Sequence, residues 1–185
     1  MRRFAALAAV GVPLFLVGAC RSTTPPAGPE YQMTTTIKDI MDSLVDKSAD
    51  VIWDSVATIV TQDGVEKKQP RTDEEWAVVR RSAVQIIEAT NLIVMPGRHV
   101  ARPGEKAADE KVELPPEEIE RLITADRASW VTLSHALHDD ATSALKAIDS
   151  KDPDGLMAAG EKIDTACENC HLKYWYPNDP NAGKK

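Results

Sequence analysis

Near the C-terminal end of the chain, two cysteines and a histidine form the motif Cys167-Glu168-Asn169-Cys170-His171. Cysteines three residues apart on a helix share a face, so both thiols can add to the two vinyl groups on one porphyrin edge. The histidine that follows is then placed to bind the iron as an axial ligand. The motif therefore predicts one covalent haem c, with Cys167 and Cys170 as its thioether positions and His171 as the proximal iron ligand.

Three other interpretations of these residues are conceivable from their types and spacing. A structural zinc site needs four ligands, and the sequence offers no second cysteine pair. A thioredoxin-like redox pair needs a βαβ setting, which the surrounding pattern does not predict. Glu168 and His171 match the Glu-x-x-His of di-iron bundles, but a second such motif is missing. Haem attachment is favoured, and a haem-free lipoprotein with a redox or metal-binding cysteine pair is kept as an alternative.

The motif lies in the last of four segments whose apolar residues recur with the 3.6-residue period of an amphipathic helix. Each segment also has a recognisable start or stop signal, such as a capping box or a first-turn proline. The first predicted helix begins at Thr36, and its apolar stripe continues to Val60, with a fresh start allowed at Asp46. The second begins at the capping box Thr72–Glu75 and stops at Pro96-Gly97. The third begins at Pro115-Pro116 and the fourth at Asp152-Pro153.

No convincing two-residue alternation or Asn-Gly hairpin signal is found between these segments. Residues 97–115 are rich in charges, glycine and proline, which predicts a long, exposed connection. Four amphipathic helices of about 20 residues, near 30 Å long, are enough to enclose a cofactor. The predicted fold class is therefore all-α, an antiparallel four-helix bundle with the haem attached near the C-terminus.

The N-terminus has the pattern of a secretory signal: Arg2 and Arg3, then an apolar stretch, then small residues before Cys20. The sequence Leu16-Val17-Gly18-Ala19-Cys20 resembles a bacterial lipobox, in which the cysteine is lipidated. An ordinary signal with a chance cysteine is the alternative. The predicted organisation is a signal peptide at 1–19, a flexible tether at 20–33, the cytochrome domain at 34–177 and a tail at 178–185. The expected location is the periplasm, with the protein anchored to the membrane as a lipoprotein.

Length and charge narrow the function classes. The 185 residues suit one domain, and the formal net charge is −7. Removing residues 1–19 takes away two arginines and no acid, which leaves 20 basic and 29 acidic side chains, a net charge of −9. Such an excess disfavours nucleic acid, because phosphate binding needs clustered lysine and arginine. It suits either a basic partner or simple solubility.

The segment Ala166-Cys167-Glu168-Asn169-Cys170-His171-Leu172-Lys173-Tyr174 resembles the class II c-type cytochromes, the cytochrome c prime type. The resemblance extends over about residues 36–98 and 116–177. It implies a four-helix bundle with the haem motif near the end of the last helix, and often a homodimer. The family commonly has a basic residue after the aromatic at position 174, whereas this chain has Trp175, which leaves open how that edge of the haem site is closed.

The resemblance also places the sixth iron ligand on the first helix. Some members leave that position empty and bind small gases, and others supply a methionine and carry electrons. Met41 is the candidate distal ligand, because Met33, Met95 and Met157 lie in the tether, at a helix end and on the haem helix. The alternative is that Met41 only packs, with Ile40 or Leu44 capping an empty distal pocket.

Other polar and aromatic residues have simpler interpretations. His135 and His138 share a helix side, which is more typical of a solvated face than of a metal site, and His99 is expected to be exposed. Arg98 stabilises a helix C-terminus or pairs with a haem propionate. Gly160 allows a close approach of a helix or the porphyrin. Trp53, Trp76 and Trp130 fall on core stripes, and one or more of the four tryptophans is a candidate for the wall of the haem pocket.

These observations predict an exported mono-haem c-type cytochrome that carries single electrons between periplasmic or membrane redox partners. No catalytic triad or phosphate-binding loop is found, so an enzyme is not expected. A five-coordinate haem protein that binds nitric oxide or carbon monoxide is the main alternative.

Overall fold

The computed structural model describes residues 31–179, and the compact unit considered below begins at Met33. The predicted signal peptide, Cys20, residues 20–30 of the tether and residues 180–185 of the tail lie outside the described residues. Within residues 31–179, no helix is long and apolar enough to cross a membrane.

The described chain is mostly helical, with one small two-stranded antiparallel sheet. Helices account for 64% of the described residues, so the prediction of a mainly helical fold is confirmed. In chain order the elements are α1 (Ile37–Ile40), a π-helical turn (Met41–Val45), α2 (Asp46–Ser55), β1 (Ala57–Thr61), β2 (Gly64–Lys68), α3 (Asp73–Ile93), α4 (Pro116–Ala125), α5 (Arg127–Asp149) and α6 (Pro153–Tyr174).

The predicted start signals of α3 and α6 are confirmed. The Thr72 side chain accepts a hydrogen bond from the Glu75 backbone N–H at 3.2 Å, and the Glu75 carboxylate accepts one from the Thr72 N–H at 3.1 Å. The Asp152 side chain accepts a hydrogen bond from the Gly155 N–H at 3.0 Å, and Pro153 occupies the first turn of α6. Both caps satisfy backbone donors that have no partner inside their helix.

The assignment of Ile59 and Val60 to the first helical stripe is wrong. The helix ends at Ser55, because Val56 adopts an extended conformation. Ile59 and Val60 instead lie in β1, where Val60 pairs with Val65 of β2. Gln62 and Asp63 form the turn, and Gly64, the first residue of β2, has a φ of +137°, which favours glycine.

One further helix boundary differs from prediction, and the structure decides between the two possibilities left open for the first helix. The third predicted helix is two helices, because Asp126 leaves the helical conformation and its side chain caps α5 by accepting from the Ser129 N–H at 3.2 Å. The first helix does not restart at Asp46. It continues through the π-helical turn, in which the Asp46 N–H donates to the Met41 carbonyl, five residues back.

The long helices pack in a closed cycle of neighbours: α2 against α3, α3 against α5, α5 against α6, and α6 against α2. Apolar side chains from all of them are buried between these helices. The largest fully buried side chains include Trp130, Tyr174, Ile52, Ile86, Ile93, Leu156 and Ile163.

The connection at 97–115 is anchored to the helices, although most of its residues are exposed as predicted. Val100 is buried, and the carbonyls of His99 and Val100 accept hydrogen bonds from the first backbone amides of α1. Arg102 pairs with Asp39 of α1, and the Leu114 N–H donates to the Trp175 carbonyl at 2.7 Å. The connection therefore links the start of α1 to the end of α6.

Candidate functional site

The three residues of the Cys-x-x-Cys-His motif line one cavity of about 190 Å³ near the C-terminal end of α6, called the haem-motif cavity below. Cys167 is half-buried, Cys170 is buried, and both are thiols rather than a disulfide. The opposite wall comes from the first helix and includes Met41. The structure therefore brings together all four residues that the sequence proposed for the haem.

A second cavity of about 230 Å³ adjoins the first. Met41, Asp46 and His171 line both cavities and so lie at their boundary. The second cavity is walled partly by the connection at 97–115. The histidine and the methionine thus stand where two open spaces meet, between the first helix and α6.

The protonation states of the motif suit haem attachment better than thiolate chemistry. Burial raises the pKa of the Cys170 thiol to about 12, so the group stays protonated at neutral pH. Thioredoxin-like redox cysteines have lowered pKa values instead. Burial also lowers the pKa of His171, which favours the neutral imidazole that binds iron.

A carboxylate that the sequence interpretation overlooked also faces this site. Asp46 lines both cavities, and burial raises its pKa. The negative charge of Asp46 acts to raise the pKa of His171, against the larger effect of burial, and a protonated His171 acts to lower the pKa of Asp46. Its position five residues after Met41 was the available signal, but only the π-helical turn brings residues five apart onto one side.

The end of α6 packs aromatic rings against the histidine. The centroids of the Trp175 and Tyr176 rings each lie 5.7 Å from that of His171. Trp175 stacks on the fully buried Trp130 at 6.3 Å, with 25° between the ring planes. Trp175, at the position where a basic residue was expected, therefore helps to close this edge of the second cavity.

Met41 is the one described methionine that lines either of these two cavities. Met33 is 39% exposed, and the Met95 sulfur accepts a hydrogen bond from Arg98 at 3.2 Å. Met157 faces a different cavity beside Trp53. Met41 also begins the π-helical turn, and such turns occur frequently at functional sites.

The tryptophans divide into buried and cavity-lining residues. Trp76 and Trp130 are buried, as the core stripes predicted. The placement of Trp53 in the core is wrong: it is 38% exposed and lines the haem-motif cavity. Its indole N–H donates to the Gly160 carbonyl at 3.0 Å, and a Cβ on Gly160 would lie 3.2 Å from the Trp53 ring. The glycine thus permits the close approach of α2 to α6.

The remaining candidates lie outside the two cavities. The Arg98 guanidinium donates to the Leu92 carbonyl at 2.8 Å, which is the predicted stabilisation of a helix end. His138 hydrogen-bonds Thr90 at 3.0 Å, and His135 is exposed. His99 is also exposed. Within residues 31–179, no group of three or more histidine, cysteine, aspartate or glutamate side chains is placed to hold a metal ion.

Comparison with known proteins adds no family assignment. No family model, no curated protein and no solved structure matches this chain.

Proposed function

We propose that the protein is an exported, lipid-anchored mono-haem c-type cytochrome that transfers single electrons between redox partners. The observation that carries this proposal is the common cavity lined by Cys167, Cys170, His171 and Met41. These residues come from the two ends of the domain. Their meeting in one cavity is expected if they serve one prosthetic group.

The packing of the long helices supports a four-helix-bundle cytochrome. Each of α2, α3, α5 and α6 contacts two of the others, and the haem motif lies in the last turns of α6. This arrangement suits the class II c-type cytochromes that the sequence resembles. The hairpin and the anchored connection at 97–115 are additions to that plan.

The side chains have distinct roles in this proposal. Cys167 and Cys170 would hold the haem through thioether bonds, and the neutral His171 imidazole would be the proximal iron ligand. Met41 would be the distal ligand, and a thioether there favours the ferrous state. Haem bound at this site would supply an iron that cycles between ferric and ferrous states. Leu133 and Leu137 add apolar surface that helps exclude water.

The proposed partners and location follow from the sequence. An N-terminal lipid on Cys20 would hold the protein at the membrane on the periplasmic side, within reach of membrane and periplasmic redox proteins. We propose no nucleic-acid partner and no catalysed bond chemistry. A homodimer is proposed from the family resemblance alone. Replacement of Cys20 by Ser should release the protein from the membrane fraction, and unchanged membrane association would contradict lipidation.

Covalent attachment is the first part of the proposal to test. Co-expression with a cytochrome c maturation system should yield a protein that keeps haem on a denaturing gel. The double variant Cys167→Ser/Cys170→Ser should lose that haem. A colourless wild-type protein under the same conditions would favour the haem-free lipoprotein.

The sixth ligand separates electron transfer from gas binding. The wild-type protein should give a low-spin optical spectrum with a methionine–iron charge-transfer band that carbon monoxide leaves unmoved. Met41→Ala should abolish this band and give a high-spin spectrum. Met157→Ala, a methionine change outside both cavities, is the matched control and should leave the band in place. A high-spin wild-type spectrum that shifts with carbon monoxide would make gas binding the leading function.

A further inference from the structure

A metal-binding histidine usually needs a neighbour that fixes the orientation of its ring. In this chain the groups packed against His171 are the aromatic rings of Trp175 and Tyr176, which directly follow α6. What holds these two rings therefore also influences the imidazole.

The backbone turns back toward the histidine at the end of α6. The N–H groups of Trp175 and Tyr176 both donate to the His171 carbonyl, at 2.7 and 3.0 Å. This turn brings both rings beside the imidazole, at interplanar angles of 53° and 60°. Tyr176 meets the imidazole edge to face, an arrangement that is favourable for aromatic rings, whereas Trp175 is tilted against it.

The two rings are held by different means. Trp175 stacks on the buried Trp130, and its carbonyl accepts a hydrogen bond from the Leu114 N–H, so it is fixed to the core and to the connection. Tyr176 is half-buried, and its hydroxyl donates to the Glu168 carboxylate at 3.0 Å. Glu168 lies between the two motif cysteines and lines the haem-motif cavity.

We infer that Glu168 and Tyr176 act together as positioning residues for His171, an inference that rests on the proposed function. The Glu168 carboxylate anchors the Tyr176 hydroxyl, and the Tyr176 ring holds the imidazole in one orientation for the iron. Glu168, one of the two residues between the motif cysteines, thus has a specific task in this chain. Neither residue contacts the iron in this role.

The test uses the haem-loaded protein and the ferric electron paramagnetic resonance signal, whose g-values depend on the orientation of the axial ligand. Tyr176→Phe keeps the ring and removes the hydroxyl, and Glu168→Ala removes the acceptor. Both should shift and broaden the signal. Glu168→Gln still offers an acceptor oxygen to the tyrosine and should retain the wild-type signal, although the lost charge changes the reduction potential.

The double variant Glu168→Ala/Tyr176→Phe gives the sharpest comparison. If the two residues act through one hydrogen bond, the signal of the double variant should change no more than that of either single variant. Glu161→Ala, an exposed acid on the same helix, is the control and should leave the signal unchanged. Equal shifts in Glu168→Gln and Glu168→Ala, or additive shifts in the double variant, would overturn the inference.

Haem content measured for each variant distinguishes failure of this inference from failure of the proposed function. A wild-type protein without covalent haem would refute the proposed function itself. A wild-type protein with haem, combined with unchanged signals in Tyr176→Phe and Glu168→Ala, would refute only the positioning role. Should Glu168→Ala fail to incorporate haem, Tyr176→Phe alone decides, because it leaves the attachment motif intact.

Discussion

Replacing Trp130 by alanine should destabilise the protein. It should also remove the support of Trp175, whose ring lies beside His171. Trp130 has no exposed surface, and its ring contacts Tyr174 at 5.4 Å and Trp175 at 6.3 Å between centroids. Its indole N–H also donates to the Ile93 carbonyl at 3.3 Å. The substitution removes these contacts and leaves a void where the indole lay.

The expected cost follows from the complete burial of the side chain. Truncation of a buried tryptophan to alanine typically lowers the free energy of unfolding by about 3–5 kcal/mol. For a domain of about 150 residues, each 1 kcal/mol lowers Tm by roughly 2–4 °C. Trp130→Ala should therefore lower the Tm of the protein by about 6–20 °C, measured by circular dichroism.

Trp53→Ala is the matched control, because it makes the same truncation at a residue that is 38% exposed. It removes one hydrogen bond, to Gly160, and partly buried surface, so about 1–2 kcal/mol is expected. Equal losses of stability in Trp53→Ala and Trp130→Ala would refute this prediction. A Tm of Trp130→Ala within about 2 °C of the wild-type Tm would refute it as well.

Three further predictions test the caps and the helix contact. The hydrogen bond from Lys173 lowers the pKa of Asp126 from 3.8 to about 2. The ionised carboxylate therefore stabilises the fold at pH values above 3.8, and this contribution is lost as the pH falls towards about 2. The stability deficit of Asp126→Asn should accordingly shrink over that range in acid unfolding curves, and a constant deficit would contradict this. Gly160→Val should displace the Trp53 ring and change tryptophan fluorescence; an unchanged spectrum would show that the contact is loose. Thr72→Ala should cost about 0.5–2 kcal/mol in urea unfolding, since it removes the α3 cap, and no measurable loss would refute the cap's contribution.

The helices were predictable because their signals are local. Capping residues and apolar periodicity located the starts of α3 and α6, and the Cys-x-x-Cys-His spacing placed three site residues on one helix face. The β-hairpin was missed because Ile59 and Val60 also fit the helical stripe. The β-branched run of β1 and the Asp63-Gly64 dipeptide beside the Gln62-Asp63 turn were competing signals, and the hairpin formed.

The wall around the motif was less accessible to sequence reasoning. Trp175 and Tyr176 reach His171 only because the chain turns back at the end of α6, and Trp130 holds Trp175 from a different helix. Such contacts depend on tertiary packing rather than on spacing along one element. Asp46 was overlooked for a related reason, since five-residue spacing places side chains together only in a π-helical turn.

The π-helical turn at Met41–Val45 also makes the site sensitive to insertion and deletion. Relative to an α-helix, a π-helical turn accommodates one extra residue, and one residue corresponds to a rotation of about 100°. Loss of a single residue from this turn would rotate the preceding helix and move a neighbour of Met41 toward His171. A chain with a regular α-helix here would need a one-residue gap in alignment before its residues could be equated with Met41. Under the proposed function, gain or loss of that residue offers a lineage a short evolutionary route between a methionine-bound and an open iron.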